Sequence, residues 1–261
     1  MKPVIQAAIE AGKEIMKIYE TDFEVEYKED ESPLTIADQR SHEVIKSALE
    51  KNYPGVPILS EEGKHLSYEE RKQWKEFWLV DPIDGTKEFI KKNGEFTVNV
   101  ALIKNGKPVI GVVYAPALDY LYIAEEGKGA YKLSSVLTNS TNDYSTNAES
   151  LPIEQSNSEV AKVVASRSHM SKDTKAFIED LESKYERVET ISAGSSLKLC
   201  LVAEGKADFY PRYAPTMEWD TGAGQAIVEL SGGKVDIANE DSPLTYNKEN
   251  LRNPWFLAYR P

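Results

Sequence analysis

Apolar residues at the start of the chain recur at helical spacing. Across residues 3–19, Ile5, Ala8, Ile9, Gly12, Met16 and Tyr19 share a face, which predicts a helix with one buried stripe. A second amphipathic helix is predicted from Asp38 to Lys51, with Val44, Ile45, Ala48 and Leu49 inward and Tyr53-Pro54-Gly55 ending it. The period then changes. "VPILS" (56–60) and "EFWLV" (76–80) are short unbroken apolar runs, the mark of buried strands. Each runs straight into acids, Glu61-Glu62 after the first and Asp81 after the second. In "FTVNVALI" (96–103), Phe96, Val98, Val100 and Leu102 alternate along one side. Asn105-Gly106 is a hairpin turn, "KPVIGVVYAP" (107–116) is the returning strand, and "DYLYIAEEGKGAY" (119–131) continues the meander.

Periodicity is lost over residues 134–159, where Ser, Thr and Asn dominate; this predicts a long mobile loop at a domain boundary. Beyond it strands and helices alternate. "AKVVAS" (161–166), "ADFYPR" (207–212) and "KVDI" (234–237) read as strands. "KDTKAFIEDLESKY" (172–185), "SSLKLCLVAEG" (195–205) and "DTGAGQAIVELSGG" (220–233) read as helices, the last two stopped by glycine. The expected organisation is an N-terminal α+β unit over 1–133, a polar insert over 134–159, and a C-terminal α/β unit over 160–261.

Composition narrows the function classes. The chain has 261 residues, 41% hydrophobic and 28% charged, ample for a sizeable core without staples. The single cysteine, Cys200, excludes an internal disulfide or a multi-cysteine zinc site and reads as a buried small hydrophobe. The N-terminus carries acids early, unlike a secretory signal, and no run approaches the roughly 20 apolar residues of a membrane span. The expectation is a cytoplasmic protein, with peripheral membrane association still open, acting as a monomer or homodimer. A net charge of −12 argues against binding nucleic acid through its phosphates. An acidic protein can still take a phosphorylated small molecule if it supplies metal ions, a local basic cluster, or both.

Such a supply is suggested by "WLVDPIDGTKEF" (78–89). Asp81 and Asp84 stand three apart, and a tight turn there brings such residues to about 5–6 Å. Two carboxylates that close repel unless a cation lies between them, and Mg²⁺, a hard ion, suits carboxylate, carbonyl and water oxygens. The backbone carbonyl of Ile83 could join them, Gly85 lets the backbone approach an anion, and the Thr86 hydroxyl could orient a water or touch a phosphate. Glu61 and Asp220 also follow or open elements next to apolar runs, and acids so placed can converge at a sheet edge. Each has a plainer reading. Asp38 and Asp220 each read alone as helix N-caps, Glu61 and Glu62 as solvated loop acids, and His42 and His65 as surface residues.

Taken together, "PILSEEG", "WLVDPIDGTKEFI", "NGEFTVNVALI" and "WDTGAGQAI" resemble the Mg²⁺-dependent, lithium-sensitive inositol monophosphatase superfamily. "ASRSHMS", "GSSLKLCLVAEGKADFYPR" and "PTMEWDTGAG" are similar to its 3′(2′),5′-bisphosphate nucleotidases of the bacterial CysQ type. The resemblance implies an α/β (α+β) fold, a layered αβαβα sandwich, with two or three Mg²⁺ ions per site. It implies that Glu61, Asp81 and the Ile83 carbonyl hold the first ion and that Asp81, Asp84 and Asp220 hold the second, with a third, weaker ion leaning on Glu61. It pairs Asp38 with Thr86 to activate the attacking water, making Asp38, Glu61 and Thr86 the catalytic set.

The substrate residues implied are Glu61, Ile83, Asp84, Gly85, Thr86 and Asp220 around the reacting phosphate, and Ser195, Ser196, Lys198 and Arg212 around a second, uncleaved one. Lys87, Arg167 and His169 are further candidates near the mouth, ribose or base. The expected reaction is hydrolysis of adenosine 3′,5′-bisphosphate to AMP, with the related phosphosulfate as an extension, in sulfate assimilation. Inositol monophosphatase or fructose 1,6-bisphosphatase activity on the same scaffold, and a non-catalytic nucleotide or metal sensor, are the alternatives.

Overall fold

The computed structural model describes residues 1–27, 33–64, 66–137, 148–154, 159–165 and 170–261. In chain order the elements are α1 (Lys2–Tyr19), β1 (Glu26–Tyr27), β2 (Pro33–Leu34), α2 (Ile36–Asn52), β3 (Ile58–Ser60), α3 (Tyr68–Arg71), β4 (Glu76–Asp84) and α4 (Thr86–Ile90). The meander follows as β5 (Thr97–Lys104), β6 (Lys107–Ala115), β7 (Tyr120–Glu125), β8 (Gly129–Ser134) and β9 (Glu149–Ser150). The rest comprises β10 (Val160–Val164), α5 (Lys172–Glu182), β11 (Arg187–Ile191), α6 (Leu197–Glu204), β12 (Phe209–Arg212), α7 (Glu218–Leu230), β13 (Lys234–Ile237) and β14 (Phe256–Tyr259).

Strands β3 to β9 form a seven-stranded sheet in sequence order, parallel only between β3 and β4. A five-stranded sheet runs β11-β10-β12-β14-β13, with β10 parallel to both neighbours. Strand β5 is buried on both faces, and its alternation decides which layer each residue meets. Val98, Val100 and Leu102 join Ile5, Ile9, Ile45 and Leu49 of α1 and α2 in one core. Ala101 and Ile103 join Ala223, Ile227 and Leu199 of α7 and α6, together with Val164, Tyr210 and Phe256 of the second sheet, in the other. Helix α5 covers β11 and β12. The five layers implied by the resemblance, αβαβα, are therefore present. Helix α7 lies so close on β6 that a Cβ on Gly111 would strike the Ala223 carbonyl oxygen.

Four local expectations need correction. The strand that enters "DPIDG" does not stop at Asp81. It continues to Asp84, with a register shift between Asp81↔Asn99 and Asp84↔Thr97, so the acids sit on a β-bulge and not in a turn. Pro82 is tolerated there because a bulge frees a backbone position from the ladder, and its carbonyl accepts from the Ser41 hydroxyl at 2.8 Å. Within the segment expected to be a loop, Glu149–Ser150 pairs with β8 as an edge strand and Leu151 is buried, while 138–147 and 155–158 lie outside the described residues. Asp38 and Asp220 are not N-caps: Thr35 and Met217 are, and both acids occupy the third helical position. His42 is not on the surface. It is 7% exposed, with Nδ1 2.9 Å from the Ser60 hydroxyl; His65 lies outside the described residues. Among the described residues no helix is long and apolar enough to cross a membrane.

Candidate active site

Pairing between β3 and β4 places the first two acids side by side. Ser60 is in register with Val80, and the next amide, Glu61 N–H, donates to the Val80 carbonyl at 3.1 Å. Glu61 therefore stands beside Asp81. Asp81 is buried, with Oδ1 accepting from the Ile83 N–H at 3.1 Å across the bulge. Beyond the bulge the chain turns into α4 through Gly85, at φ +90°, where a Cβ would strike the Ser195 hydroxyl. That turn sets Thr86 Oγ1 3.4 Å from both Asp38 Oδ1 and the Ile83 carbonyl. These distances are long for O–H···O bonds.

Asp38 is held from the other side. Its Oδ2 accepts from the Thr35 N–H at 2.8 Å and the Thr35 hydroxyl at 2.7 Å. Asp220, in the first turn of α7, accepts from the Met217 N–H at 2.9 Å. The start of α7 is itself clamped by a buried network. Glu218 is fully buried and accepts from Asn247 N–H at 2.7 Å and from the Lys248 ammonium at 2.7 Å.

Five carboxylates thus crowd one place. Burial pushes the Asp81 carboxyl well above its ordinary value, and Glu61, Asp84, Asp220 and Asp38 push it the same way. Asp220 is pushed up to about 8, by burial first and then by Asp84. Oxygen-only donors under mutual repulsion fit a hard divalent cation. Among the described residues the side chains do not converge into a finished shell of three or more such ligands. Asp38, Asp81, Asp84 and Asp220 each accept a hydrogen bond from a protein donor.

A cavity of about 270 Å³ opens beside these acids, and Asp84, Asp220, Lys198, Arg212, Tyr213 and Glu88 are among its walls. Lys198 is half-buried in α6; burial pushes its ammonium down, while the charge of Asp84 opposes that. Its Nζ lies 3.5 Å from the Ala193 carbonyl and 5.9 Å from the Tyr210 ring centre. Arg212 donates from Nη2 to the Pro215 carbonyl at 3.0 Å, while its Nε is buried with no hydrogen-bond partner among the described residues. Ser195 Oγ lies 2.8 Å from the Asp84 carbonyl and 2.7 Å from that of Glu95.

Ser196 Oγ lies 2.9 Å from Asp84 Oδ2 and 3.0 Å from the Asp220 carbonyl, and it accepts from Asn99 Nδ2 at 2.8 Å. Lys87 is exposed and does not line the cavity. Arg167 and His169 lie outside the described residues. Sequence reasoning missed Asn99, Glu88 and Thr35. A signal existed for Asn99, a lone amide inside an otherwise apolar strand, as it did for Thr35, the last hydroxyl before the helix.

The raised carboxyls have a measurable consequence. Both folded-state values lie above the ordinary 3.8, so without a cation the stability these groups contribute is full below that value. For Asp220 it is lost as pH rises through about 8. A cation binds the deprotonated acids and cancels their repulsion. Mg²⁺ is expected to raise the Tm of EDTA-treated protein more at roughly pH 8 than at roughly pH 5. Thermal scans with and without Mg²⁺ at both pH values check this, and an equal rise at both would count against a cation among these acids.

Comparison with known proteins agrees with the architecture. The model of the inositol monophosphatase family matches residues 1–254. The chain is 44% identical over 259 residues to the 3′(2′),5′-bisphosphate nucleotidase CysQ of Salmonella typhimurium, covering 98% of each chain. It is 44% identical over 256 residues to the same enzyme of Escherichia coli, covering 97% of this chain and 96% of that one. Among solved structures, CysQ from Bacteroides thetaiotaomicron superposes with a TM-score of 0.88 at 49% identity, covering 99% of this chain and 96% of that one. With its layers, its family model and near-full-length relatives in agreement, the chain belongs to the inositol monophosphatase family.

Proposed function

We propose that this chain is a Mg²⁺-dependent 3′(2′),5′-bisphosphate nucleotidase that hydrolyses adenosine 3′,5′-bisphosphate to AMP and phosphate. By extension it would take the 3′-phosphate from the corresponding phosphosulfate, a role in sulfate assimilation. The observation that carries the reading is the composition of one cavity. Asp84 and Asp220 line it together with Lys198 and Arg212, so it offers a cation site and an anion site to one ligand. A substrate with two phosphates needs both. The relatives named as bisphosphate nucleotidases support the same choice.

Glu61, Asp81 and the Ile83 carbonyl would hold a first Mg²⁺, and Asp81, Asp84 and Asp220 a second, with a third ion on Glu61. When bound, the ions neutralise phosphate oxygens and the departing oxygen and make a water more acidic. The side chains do the rest. Thr35 fixes Asp38, and Asp38 faces the Thr86 hydroxyl, so the pair orients the attacking water and accepts its proton. The water oxygen bonds to phosphorus in line as the bond from phosphorus to the ribose 3′-oxygen breaks, and that oxygen takes a proton from solvent. No covalent enzyme intermediate is needed. Lys198 and Arg212 hold the 5′-phosphate, the guanidinium of Arg212 offering paired donors from the cavity wall.

The test is phosphate release from a panel of esters in Mg²⁺. A kcat/KM for adenosine 3′,5′-bisphosphate at least about 100-fold above that for inositol 1-phosphate is expected, since two charge-assisted contacts are absent with the second ester. A preference for the inositol ester would overturn the assignment. Partial inhibition by Li⁺ is the accompanying expectation.

A further inference from the structure

Behind Asp84 runs a chain of polar groups that the reaction does not consume. Thr97, Asn99 and Ser196 are 0%, 1% and 2% exposed, so water does not compete for their bonds. Thr97 is the cross-strand partner of Asp84, and Asn99 that of Asp81. The Thr97 hydroxyl donates to Asn99 Oδ1 at 3.0 Å, which fixes the amide and turns its NH₂ toward Ser196. Asn99 Nδ2 donates to Ser196 Oγ at 2.8 Å. With its lone pair so engaged, the serine has one proton to give, and the anionic acceptor in reach is Asp84 Oδ2 at 2.9 Å. Every donor points the same way, and the chain ends on a carboxylate. It also ties two separate elements together, β5 through Asn99 and the start of α6 through Ser196, with the Asp220 carbonyl of α7 3.0 Å from the same hydroxyl.

We propose that Asn99 and Ser196 are positioning residues that fix the Asp84 carboxylate for a divalent cation, holding Oδ2 so that Oδ1 is the oxygen offered. This rests on Asp84 being a metal ligand. It assigns Ser196 to the acid and not to a substrate phosphate, because its hydroxyl already has a donor and an anionic acceptor. The quantity the pair sets is cation affinity. Partners that orient a metal ligand are typically worth about 10–100-fold in affinity.

Mn²⁺ binding to the whole protein, without substrate, followed by the EPR signal of free ion, reads this directly. Ser196→Ala is expected to weaken the Asp84-dependent site about 10-fold or more, and Ser196→Thr, which keeps the hydroxyl, to recover most of the loss. Asn99→Leu is the second variant. It adds no charge and removes the donor that fixes the Ser196 hydroxyl, so it should weaken binding in the same direction as Ser196→Ala by a smaller factor. In turnover, the Mg²⁺ concentration for half-maximal rate should rise by a similar factor while kcat at saturating Mg²⁺ stays within a few-fold. Folding is checked by far-UV circular dichroism. If Asp84→Ala loses a Mn²⁺ site and Ser196→Ala binds within about two-fold of the unaltered protein, the positioning role fails and the metal reading stands. If Asp84→Ala itself binds Mn²⁺ unchanged, both fail.

Discussion

Asp84→Asn is expected to lower kcat by about 10³–10⁴, the loss of roughly 4–5.5 kcal/mol of transition-state stabilisation from one ill-held cation. The substitution is nearly isosteric, so packing on the bulge is kept. Its effect on the fold should have the opposite sign. Asp84 is the second cause, after burial, that pushes Asp220 up, and it pushes Asp81 as well. Removing its charge relieves that repulsion, so the metal-free variant should melt at or above the Tm of the unaltered protein. The Mg²⁺-induced rise in Tm should shrink at the same time. A site that lowers stability when empty and gains it on binding is what a functional cluster of like charges entails. Turnover close to that of the unaltered protein would remove Asp84 from the metal site. Lost turnover with a lower metal-free Tm would mean that the asparagine had damaged the fold.

How much of this was legible follows from the range of the interactions. The runs "VPILS" and "EFWLV" marked two buried strands with acids following their apolar residues; pairing in register then set Glu61 beside Asp81. Those are local facts plus one pairing. The bulge was not legible, because Pro82 and Gly85 suit a turn as well as a bulge, and only pairing with β5 distinguishes them. Alternation in "FTVNVALI" marks the side facing α1 and α2 and carries no signal for Asn99, which faces the site. Strand β11 was missed because it is a polar edge strand, with Arg187 and Thr190 exposed. The contact of Ser195 and Ser196 with the Asp84–Gly85 corner spans more than a hundred residues and belongs to no local pattern.

Lys198→Ala is expected to raise KM for adenosine 3′,5′-bisphosphate by about 10–100-fold, since a charge-assisted contact is worth roughly 1.5–3 kcal/mol. The phosphate it would hold does not react, so its binding energy is the same in ground and transition states, and kcat should change little. An ester without a 5′-phosphate, adenosine 3′-monophosphate, should lose almost nothing. That contrast separates a phosphate contact from general damage to the cavity. Stability should not suffer either. Burial already holds the Lys198 ammonium below its ordinary pKa, so its charge is costly to keep in α6.

Arg212→Lys is a less conservative change than it looks. A lysine offers a point charge in place of the planar guanidinium fork, so it should behave more like an alanine than like the arginine. Because both side chains would grip one phosphate, the double variant should lose less than the sum of the two single losses. A KM for the bisphosphate that is unchanged in Lys198→Ala, or that shifts equally for the 3′-monophosphate, would move the second phosphate elsewhere in the cavity and leave the metal chemistry untouched.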